Sequence, residues 1–295
     1  MSVSKATTPV KQSGGALCEH AGMESFTGQV AVVTGGASGM GRELVRQLAA
    51  EGCHVATCDP SVEEMAETRR LALADAPDGT VVTTHLCDVS DEASLIEFRN
   101  AVVTQHQTDH VNLLFNNAGI GGGGSVITDP REVWERTFNV CWGGVYLGVR
   151  TFLPLLIAAA EAHIVNTSSV NGFWASIGPD RPHTAYSAAK FAVKGFSEAL
   201  ITDLRVNAPH VKVSVVMPGH IGTSIVENSM RHGAHELDME TVEMVQLMSD
   251  MFRDQAPMTA AEASTEILDG VRAGRWRILV GDDARKPVSY THLRA

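Results

Sequence analysis

Residues 30–51 read VAVVTGGASGMGRELVRQLAAE, and this stretch decides the fold class. The apolar run 30–33 predicts a buried strand, segment 34–41 predicts a glycine-rich turn, and residues 42–51 have the pattern of a helix. A strand, a glycine-rich turn and a helix in this order form the phosphate-binding start of a dinucleotide fold. By itself such a loop is equally compatible with a plain structural turn, so features elsewhere in the chain must decide.

Three glycines in the turn have distinct physical tasks. Gly35 permits a sharp turn, Gly39 lets the backbone approach a pyrophosphate without a Cβ in the way, and Gly41 lets the helix pack close to the sheet. Their spacing departs from the commoner G-x-G-x-x-G pattern. A cofactor site therefore needs support from a second feature downstream.

That second feature is an acidic residue at the end of the next predicted strand. The strand 54–58 is followed by Asp59, eighteen residues beyond Gly41. A carboxylate there would bond the ribose hydroxyls of an adenosine and repel a 2′-phosphate. No arginine or lysine follows Asp59 directly, and Ser38 stands where a basic residue could meet that phosphate, so NAD is favoured over NADP. The alternative is that Asp59 only starts a turn before Pro60.

Tyr186 and Lys190 lie four residues apart in the predicted helix TAYSAAKFAVKGF. Four residues is about one helical turn, so both side chains leave the same face of the helix. A neighbouring ammonium lowers the pKa of a tyrosine from its usual value of ~10, which makes the hydroxyl useful as a general acid and base. An isolated Tyr-x-x-x-Lys is more often a surface pair, so this motif also needs support.

The order of these and further motifs resembles the short-chain dehydrogenase/reductase family over residues 26 to about 281. The motifs are Thr34–Gly41, Asp88-Val89, Asn116–Gly119, Asn139, Asn166–Ser169, Tyr186 with Lys190, and Pro218–Thr223. Several motifs in the right order are far more specific than any one of them. The resemblance implies an oxidoreductase that uses a nicotinamide cofactor.

The resemblance implies a catalytic tetrad of Asn139, Ser169, Tyr186 and Lys190. Tyr186 would exchange the proton of the alcohol, and Ser169 would hydrogen-bond the substrate oxygen. Lys190 would lower the pKa of Tyr186 and bind the nicotinamide ribose. Asn139 would hold a water that connects Lys190 to solvent. Ser168, the first serine of the pair, is expected to bond locally, because family members place the active serine second.

The resemblance also implies a set of cofactor contacts. Asp88 and Val89 would meet the adenine, and Ile221 with Thr223 would hold the nicotinamide carboxamide. The segment Asn116–Gly119 would line the central cleft, or its side chains would only stabilise the strand end. The whole predicted set is Gly35, Ser38, Gly39, Met40, Gly41, Asp59, Asp88, Val89, Asn116, Ala118, Gly119, Tyr186, Lys190, Pro218, Gly219, Ile221 and Thr223.

The alternation of apolar runs and amphipathic segments predicts an α/β fold, a single doubly wound Rossmann domain with a parallel sheet of about seven strands and helices on both faces. Right-handed crossovers predict that the strand order reverses beside the first strand, with the ligand crevice at the carboxyl ends of the strands. We expect residues 26–286 to form the catalytic domain, with a substrate lid at about 224–256. Residues 1–25 are expected to be disordered, and 287–295 resemble a non-native tail.

Composition excludes several classes of partner. The formal net charge is −11 and no basic cluster is present, so we expect no nucleic-acid partner. We also expect no membrane segment, because Pro154 interrupts the apolar run 153–160, and no signal peptide, which favours a cytoplasmic enzyme. Five cysteines without metal-like spacing predict free thiols and no metal site. The resemblance implies a homodimer or homotetramer.

The substrate pocket is predicted from residues that follow Ser169. Phe173, Trp174 and Ile177 are candidates for an apolar wall, and the four glycines 121–124 are expected to form a flexible loop at the cleft edge. No arginine pattern suits a carboxylate substrate, so we expect a hydrophobic secondary alcohol or ketone. The alternatives are an NADP-dependent reductase of ketones or 3-oxoacyl thioesters, and a nucleotide-binding homologue without turnover.

Overall fold

The computed structural model of the protein describes residues 22–175, 182–225, 227, 229 and 239–285. In this part of the chain the strands are β1 (Val30–Thr34), β2 (His54–Asp59), β3 (Val82–Leu86), β4 (Leu113–Asn116), β5 (Ala162–Thr167), β6 (Val211–Pro218), β7 (Ile221–Gly222), β8 (Met258–Thr259) and β9 (Arg277–Val280).

The described helices alternate with these strands. They are α1 (Gly39–Ala50), α2 (Val62–Asp75), α3 (Glu92–Gln105), α4 (Arg131–Phe138), α5 (Gly144–Ala158), α6 (Thr184–Asn207), α7 (Met239–Asp254), α8 (Ala260–Arg272) and α9 (Asp282–Arg285), with a π-helical turn at Asn139–Gly143 and a 3-10 turn at Val170–Gly172.

Seven of the strands form one parallel sheet in the order β3-β2-β1-β4-β5-β6-β9. β1 pairs with β2 on one side and with β4 on the other, so the strand order reverses at β1. In an open sheet of this kind the ligand crevice lies at that reversal, beyond the carboxyl ends of the strands. The predicted Rossmann fold, the number of strands and the reversal beside the first strand are confirmed.

The sheet separates two hydrophobic cores, because successive residues of a strand point to opposite faces. In β1, Val32 belongs to the core under α3, α5 and α6, while Val33 belongs to the core under α1, α2 and α8. Every residue of β1 is buried, and the same is true of β4 and β5. Strands covered on both faces read as continuous apolar runs, which is why the sequence pattern of β1 was so clear.

Helices α4 and α5 are joined by the π-helical turn into one stretch, Arg131–Ala158, which continues through Pro154. Proline removes one main-chain donor and disturbs one helical turn, but here it does not end the helix. By length and composition alone this stretch of 28 residues could cross a membrane. Half of its most apolar window is buried inside the protein, which is typical of a core helix.

A small second sheet marks both ends of the segment predicted to be a lid. β7 and β8 pair in parallel. The intervening chain 223–257 therefore begins and ends beside this two-stranded sheet. Within it α7 is described as a helix, whereas residues 226, 228 and 230–238 lie outside the described residues. The predicted disordered segment 1–25 lies mostly outside the described residues, and the predicted tail 287–295 lies entirely outside them.

Candidate active site

The strand ends open onto one cleft of about 1770 Å³. Most of the residues predicted to bind cofactor or substrate line it, and, apart from Tyr186 and Lys190 on α6, they follow the ends of strands of the sheet. The predicted residues in the lining are Gly35, Ser38, Gly39, Met40, Gly41, Asp59, Asp88, Val89, Ala118, Gly119, Ser169, Tyr186, Lys190, Pro218, Gly219, Ile221 and Thr223. Asn116 and Asn139 do not belong to this lining.

The glycine-rich turn packs closely against neighbouring main-chain atoms on one side and lines the cleft on the other. This arrangement fits a phosphate. Gly35 has a φ of +71°, and a Cβ on it would lie 2.8 Å from the Cα of Ala118. A Cβ on Gly41 would lie 2.0 Å from the carbonyl oxygen of Gly35. The first turn of α1 contains no acidic residue, and its N-terminus lies in the cleft wall. Free N–H groups and the helix dipole at such a terminus favour an anion.

Asp59 presents a carboxylate at the next strand end. Its oxygens accept hydrogen bonds from the main-chain N–H groups of Ser61 at 3.0 Å and Ala37 at 3.4 Å. Arg42, which also lines this end of the cleft, is bound by the carboxylate of Glu64 and by the carbonyl of Ala37. The positive charge of Arg42 is thus already compensated, and Asp59 serves both as a turn residue and as part of the cleft wall.

Asp88 forms an ion pair that the sequence did not reveal. Arg136 Nη1 donates to Asp88 Oδ2 at 2.6 Å and to Ser90 Oγ at 3.0 Å. Burial raises the pKa of Asp88, but the hydrogen bonds from Arg136 and Ser90 outweigh it, so the pKa lies below its usual value. Arg136 is on α4, 48 residues away in sequence. No local pattern could have found it.

The two asparagines after β4 have different surroundings. Asn116 is buried inside the sheet, where its Nδ2 donates to Asn166 Oδ1 at 2.8 Å. The Nδ2 of Asn117 donates to the carbonyl of Thr34 at 3.1 Å, and Asn117 reaches the cleft wall. The structure therefore supports the strand-end role for the Asn116 side chain and places Asn117, Ala118 and Gly119 at the cleft.

Tyr186, Lys190 and Ser169 meet at the centre of the cleft. Lys190 is 2% exposed, and its Nζ lies 5.4 Å from the centroid of the Tyr186 ring. That Nζ donates to the main-chain carbonyl of Thr167 at 2.9 Å. Ser168 donates to the main-chain carbonyl of Lys190 at 2.7 Å, so its bond is to α6 and not local as expected. These two bonds fix α6 on the end of β5.

The ionisation of Tyr186 reflects opposing effects. Burial raises the pKa of Tyr186, whereas the charge of Lys190 and a hydrogen bond with Ser169 lower it, and the net result is a pKa above the usual value. The charge of Lys190 therefore lowers the pKa of Tyr186, as predicted, but this effect is smaller than the effect of burial. A further positive charge above the ring would lower the pKa more.

Asn139 begins the π-helical turn and is exposed. Its carbonyl accepts the N–H of Gly144, and the next residue, Val140, lines the cleft. A π-helical turn inside an α-helix is rare and is frequently found at functional sites. The role of Asn139 in a proton relay stays a prediction.

The glycines 121–124 are held by the start of α6. The N–H groups of Thr184 and Ala185 donate to the carbonyls of Gly124 and Gly123, each at 3.0 Å. Gly122 and Gly123 both have positive φ. The loop therefore lies at the cleft edge, as predicted, but it is fastened to α6, because two main-chain bonds hold it.

The far end of the cleft combines apolar and polar side chains. Phe173 and Trp174, predicted to form an apolar wall, stack on each other with ring centroids 5.7 Å apart and do not belong to the lining. Ile177 lies outside the described residues. The lining at this end is instead made by Val133, Val170, Asn171, Pro182, His183, Ile225, Met251, Phe252 and Gln255. These residues come from five separate segments, which sequence reasoning did not bring together.

Comparison with known proteins places the chain in a family. Residues 29–233 match the short chain dehydrogenase family. SadH of Mycobacterium tuberculosis is 36% identical over 264 residues, which cover 89% of this chain and 90% of that protein. Levodione reductase of Leifsonia aquatica is 32% identical over 246 residues, covering 80% and 86%.

Solved structures agree with this result. A short chain dehydrogenase/reductase from Burkholderia phymatum in complex with NAD has a TM-score of 0.76 and 30% identity, covering 87% of this chain and 90% of that one. A metagenomic short-chain oxidoreductase in complex with NADP has a TM-score of 0.58 and 33% identity, covering 66% and 83%. The protein belongs to the short-chain dehydrogenase/reductase family, and it is an NAD(P)-binding oxidoreductase with a Rossmann fold.

Proposed function

We propose that this protein moves a hydride between NAD(H) and a secondary alcohol or its ketone, with Tyr186 as the general acid and base. The observation that carries the proposal is the buried ammonium of Lys190, 5.4 Å from the Tyr186 ring centroid, with Ser169 bonded to the same tyrosine. All three side chains lie in the cleft that also contains the glycine-rich turn. A buried cation beside a phenol supports the phenolate form.

In alcohol oxidation the side chains of the cleft handle the proton. Ser169 donates to the alcohol oxygen and orients it toward Tyr186. Tyr186 accepts the hydroxyl proton, and the charge of Lys190 stabilises the phenolate against the opposing effect of burial. In ketone reduction the protonated Tyr186 returns the proton to the oxygen. The nicotinamide supplies the hydride acceptor or donor when it is bound.

The residues present fit a dinucleotide. The crowded glycine turn and the start of α1 would hold the pyrophosphate, and Asp59 would bond the adenosine ribose. Ile221 and Thr223, which follow β6 in the cleft wall, would hold the nicotinamide end. The preference for NAD is supported by the carboxylate of Asp59 and by Arg42, whose guanidinium is bound to Glu64 and so is compensated before any phosphate arrives.

The substrate we propose is largely apolar. The described lining of the cleft contains Val133, Val170, Ile225 and Phe252. Its two arginines, Arg42 and Arg136, are each paired with a carboxylate of the protein. The name of levodione reductase, a relative at 32% identity, agrees with a ketone substrate.

Two measurements test this proposal. Titration with NADH and NADPH, followed by nicotinamide fluorescence, should show tighter binding of NADH. A panel of secondary alcohols and ketones with the preferred cofactor should then show turnover that the Tyr186→Phe variant loses. Tight NADH binding without any turnover would favour a nucleotide-binding homologue, and tighter NADPH binding would favour the reductase alternative.

A further inference from the structure

Arg42, in the first turn of α1, lies in the cleft wall beside the carboxylate of Asp59. One residue links the two side chains: the main-chain N–H of Ala37 donates to Asp59 Oδ2 at 3.4 Å, and the carbonyl of Ala37 accepts from Arg42 Nη2. The Arg42 side chain is 22% exposed, so it is partly open to the cleft. In dinucleotide folds an arginine near the residue that binds the adenosine ribose accommodates the 2′-phosphate of NADP. Arg42 therefore has the charge and the position for such a phosphate.

Glu64, in the first turn of α2, already binds this guanidinium. Its Oε2 accepts from Arg42 Nη2 at 2.5 Å. Arg42 Nε donates to Thr68 Oγ1 at 2.9 Å, and Thr68 in turn donates to the carbonyl of Gly36 at 2.9 Å. These bonds fasten Arg42 to α2 and to the glycine-rich turn. A charge-assisted pair of this kind must be broken or shared before the guanidinium can pair with a second anion.

The charges around Arg42 oppose a further anion. Glu64 also lines the cleft, and its side chain is 40% exposed. Its place in the first turn of a helix is one where the helix dipole favours a negative charge. Together with Asp59, two carboxylates flank one guanidinium in this part of the wall. A 2′-phosphate is repelled by both carboxylates and attracted only by a cation that is already paired.

We propose that Arg42 is a latent binding site for the 2′-phosphate of NADP and that Glu64 is the residue that closes it. The preference for NADH then depends on Glu64 as well as on Asp59, and removal of the Glu64 charge alone releases the guanidinium. This inference rests on the proposed cofactor, because it takes the adenosine ribose to lie beside Asp59.

The test measures the affinities for NADH and NADPH in the wild type, in Glu64→Gln and in Glu63→Gln. Glutamine keeps the length and shape of the side chain and removes its charge. We expect Glu64→Gln to shift the ratio of the two affinities about tenfold toward NADPH, and this gain to become smaller as the salt concentration rises. NADH affinity and Tm should stay close to those of the wild type. Glu63→Gln is the matched control, because Glu63 lies in the same helical turn but does not belong to the described lining of the cleft, and the ratio should change less than about twofold.

The same comparison in an Arg42→Gln background identifies the group that binds the phosphate. In that background Glu64→Gln should shift the ratio by less than about twofold, because no guanidinium is left to release. A full shift in the Arg42→Gln background, or equal shifts in Glu64→Gln and Glu63→Gln, would overturn the proposal while leaving the dehydrogenase intact.

A second measurement needs neither the nicotinamide nor turnover. Calorimetric titration with adenosine 2′,5′-bisphosphate and with adenosine 5′-monophosphate should show that Glu64→Gln gains affinity for the bisphosphate only. No gain for the bisphosphate overturns the proposal. Selective binding of NADH without turnover would contradict the proposed function alone, whereas a wild type that binds NADPH more tightly than NADH would contradict both.

Discussion

The two ends of the cleft are built in different ways. At the end formed by the glycine-rich turn, here called the nucleotide end, the wall is mainly backbone. Gly35 and Gly41 lie so close to neighbouring main-chain atoms that neither position has room for a Cβ. At the substrate end the wall is made of side chains from segments far apart in sequence, including Val133, His183 and Phe252. Backbone contacts of the first kind tolerate almost no substitution. Side-chain walls of the second kind can change without disturbing the fold, so we expect the first end to define the cofactor and the second to define the substrate.

The largest effect should come from Tyr186→Phe, at the junction of the two ends. Loss of the general acid and base should lower kcat by about 10³-fold, while NADH affinity stays within about twofold. Steady-state rates and fluorescence titration measure the two quantities. Tyr146→Phe is the control, because Tyr146 is exposed on α5 and should keep full activity. Turnover that survives in Tyr186→Phe would remove the tyrosine from the mechanism.

Gly41→Ala should distort the glycine-rich turn. Its Cβ would lie 2.0 Å from the carbonyl oxygen of Gly35, so the turn must move, and we expect NADH to bind about 100-fold more weakly with a lower Tm. Gly195→Ala is the control: Gly195 lies within α6, and a Cβ there would meet nothing within 4 Å. That variant should be as stable as the wild type or slightly more stable. Equal behaviour of the two variants would mean that the turn is not tightly packed.

Asp59→Asn should weaken the preference for NADH over NADPH. Removing the negative charge while keeping the shape should shift the ratio of NADPH to NADH affinity by about tenfold toward NADPH, because a 2′-phosphate would no longer be repelled. Asp75→Asn, at the far end of α2, should leave the ratio unchanged. The ratio is measured by titration at fixed ionic strength. An unchanged ratio in Asp59→Asn would reduce Asp59 to a turn residue.

The smallest effect concerns the ion pair of Asp88 and Arg136. The pKa of Asp88 is lowered in the folded protein, so its stabilisation is present above the usual carboxyl pKa of ~3.9 and is lost as the pH falls through the lower folded value. Both side chains are about one-third exposed, at 34% and 37%, so Arg136→Gln should lower Tm by only about 2 °C at pH 7.

The difference in Tm between the wild type and Arg136→Gln should become smaller when the measurement is repeated at acidic pH. Arg131→Gln is the control, because Arg131 lies on the same helix in a solvent-exposed pair with Glu135. A Tm difference that is the same at both pH values would show that Arg136 stabilises the protein by packing and not by its charge.

Much of the fold and of the site follows from local sequence. The run Val30–Val33 is apolar because β1 is covered on both faces, and positions such as Gly35 and Asp59 directly follow or end strands, so strand prediction also placed them at the cleft. Tyr186 and Lys190 share a helix face, which fixes their proximity at any point in the fold. All of these predictions depend only on residues that are close together in sequence.

The features that were not predicted from the sequence are mostly contacts between residues far apart in the chain. Arg136 reaches Asp88 across 48 residues, and Asn116 bonds Asn166 on a neighbouring strand across 50 residues. Phe173 and Trp174 follow Ser169 in sequence, but the turn after β5 directs them away from the cleft lining. His183 precedes Tyr186 by only three residues, but only the folded structure shows that it lines the cleft and packs against the Tyr186 ring.

The sequence by itself determined the fold, the nucleotide turn and the Tyr-Lys pair, because each depends on residues within one strand, one turn or one helical turn. Only the tertiary structure decided which side chains line the rest of the cleft and how strongly the pKa of Tyr186 is shifted. Both depend on burial, and burial is set by segments that meet only when the chain is folded. The net pKa of Tyr186 illustrates the point: the effect of Lys190 is visible in the sequence, and the opposing effect of burial is not.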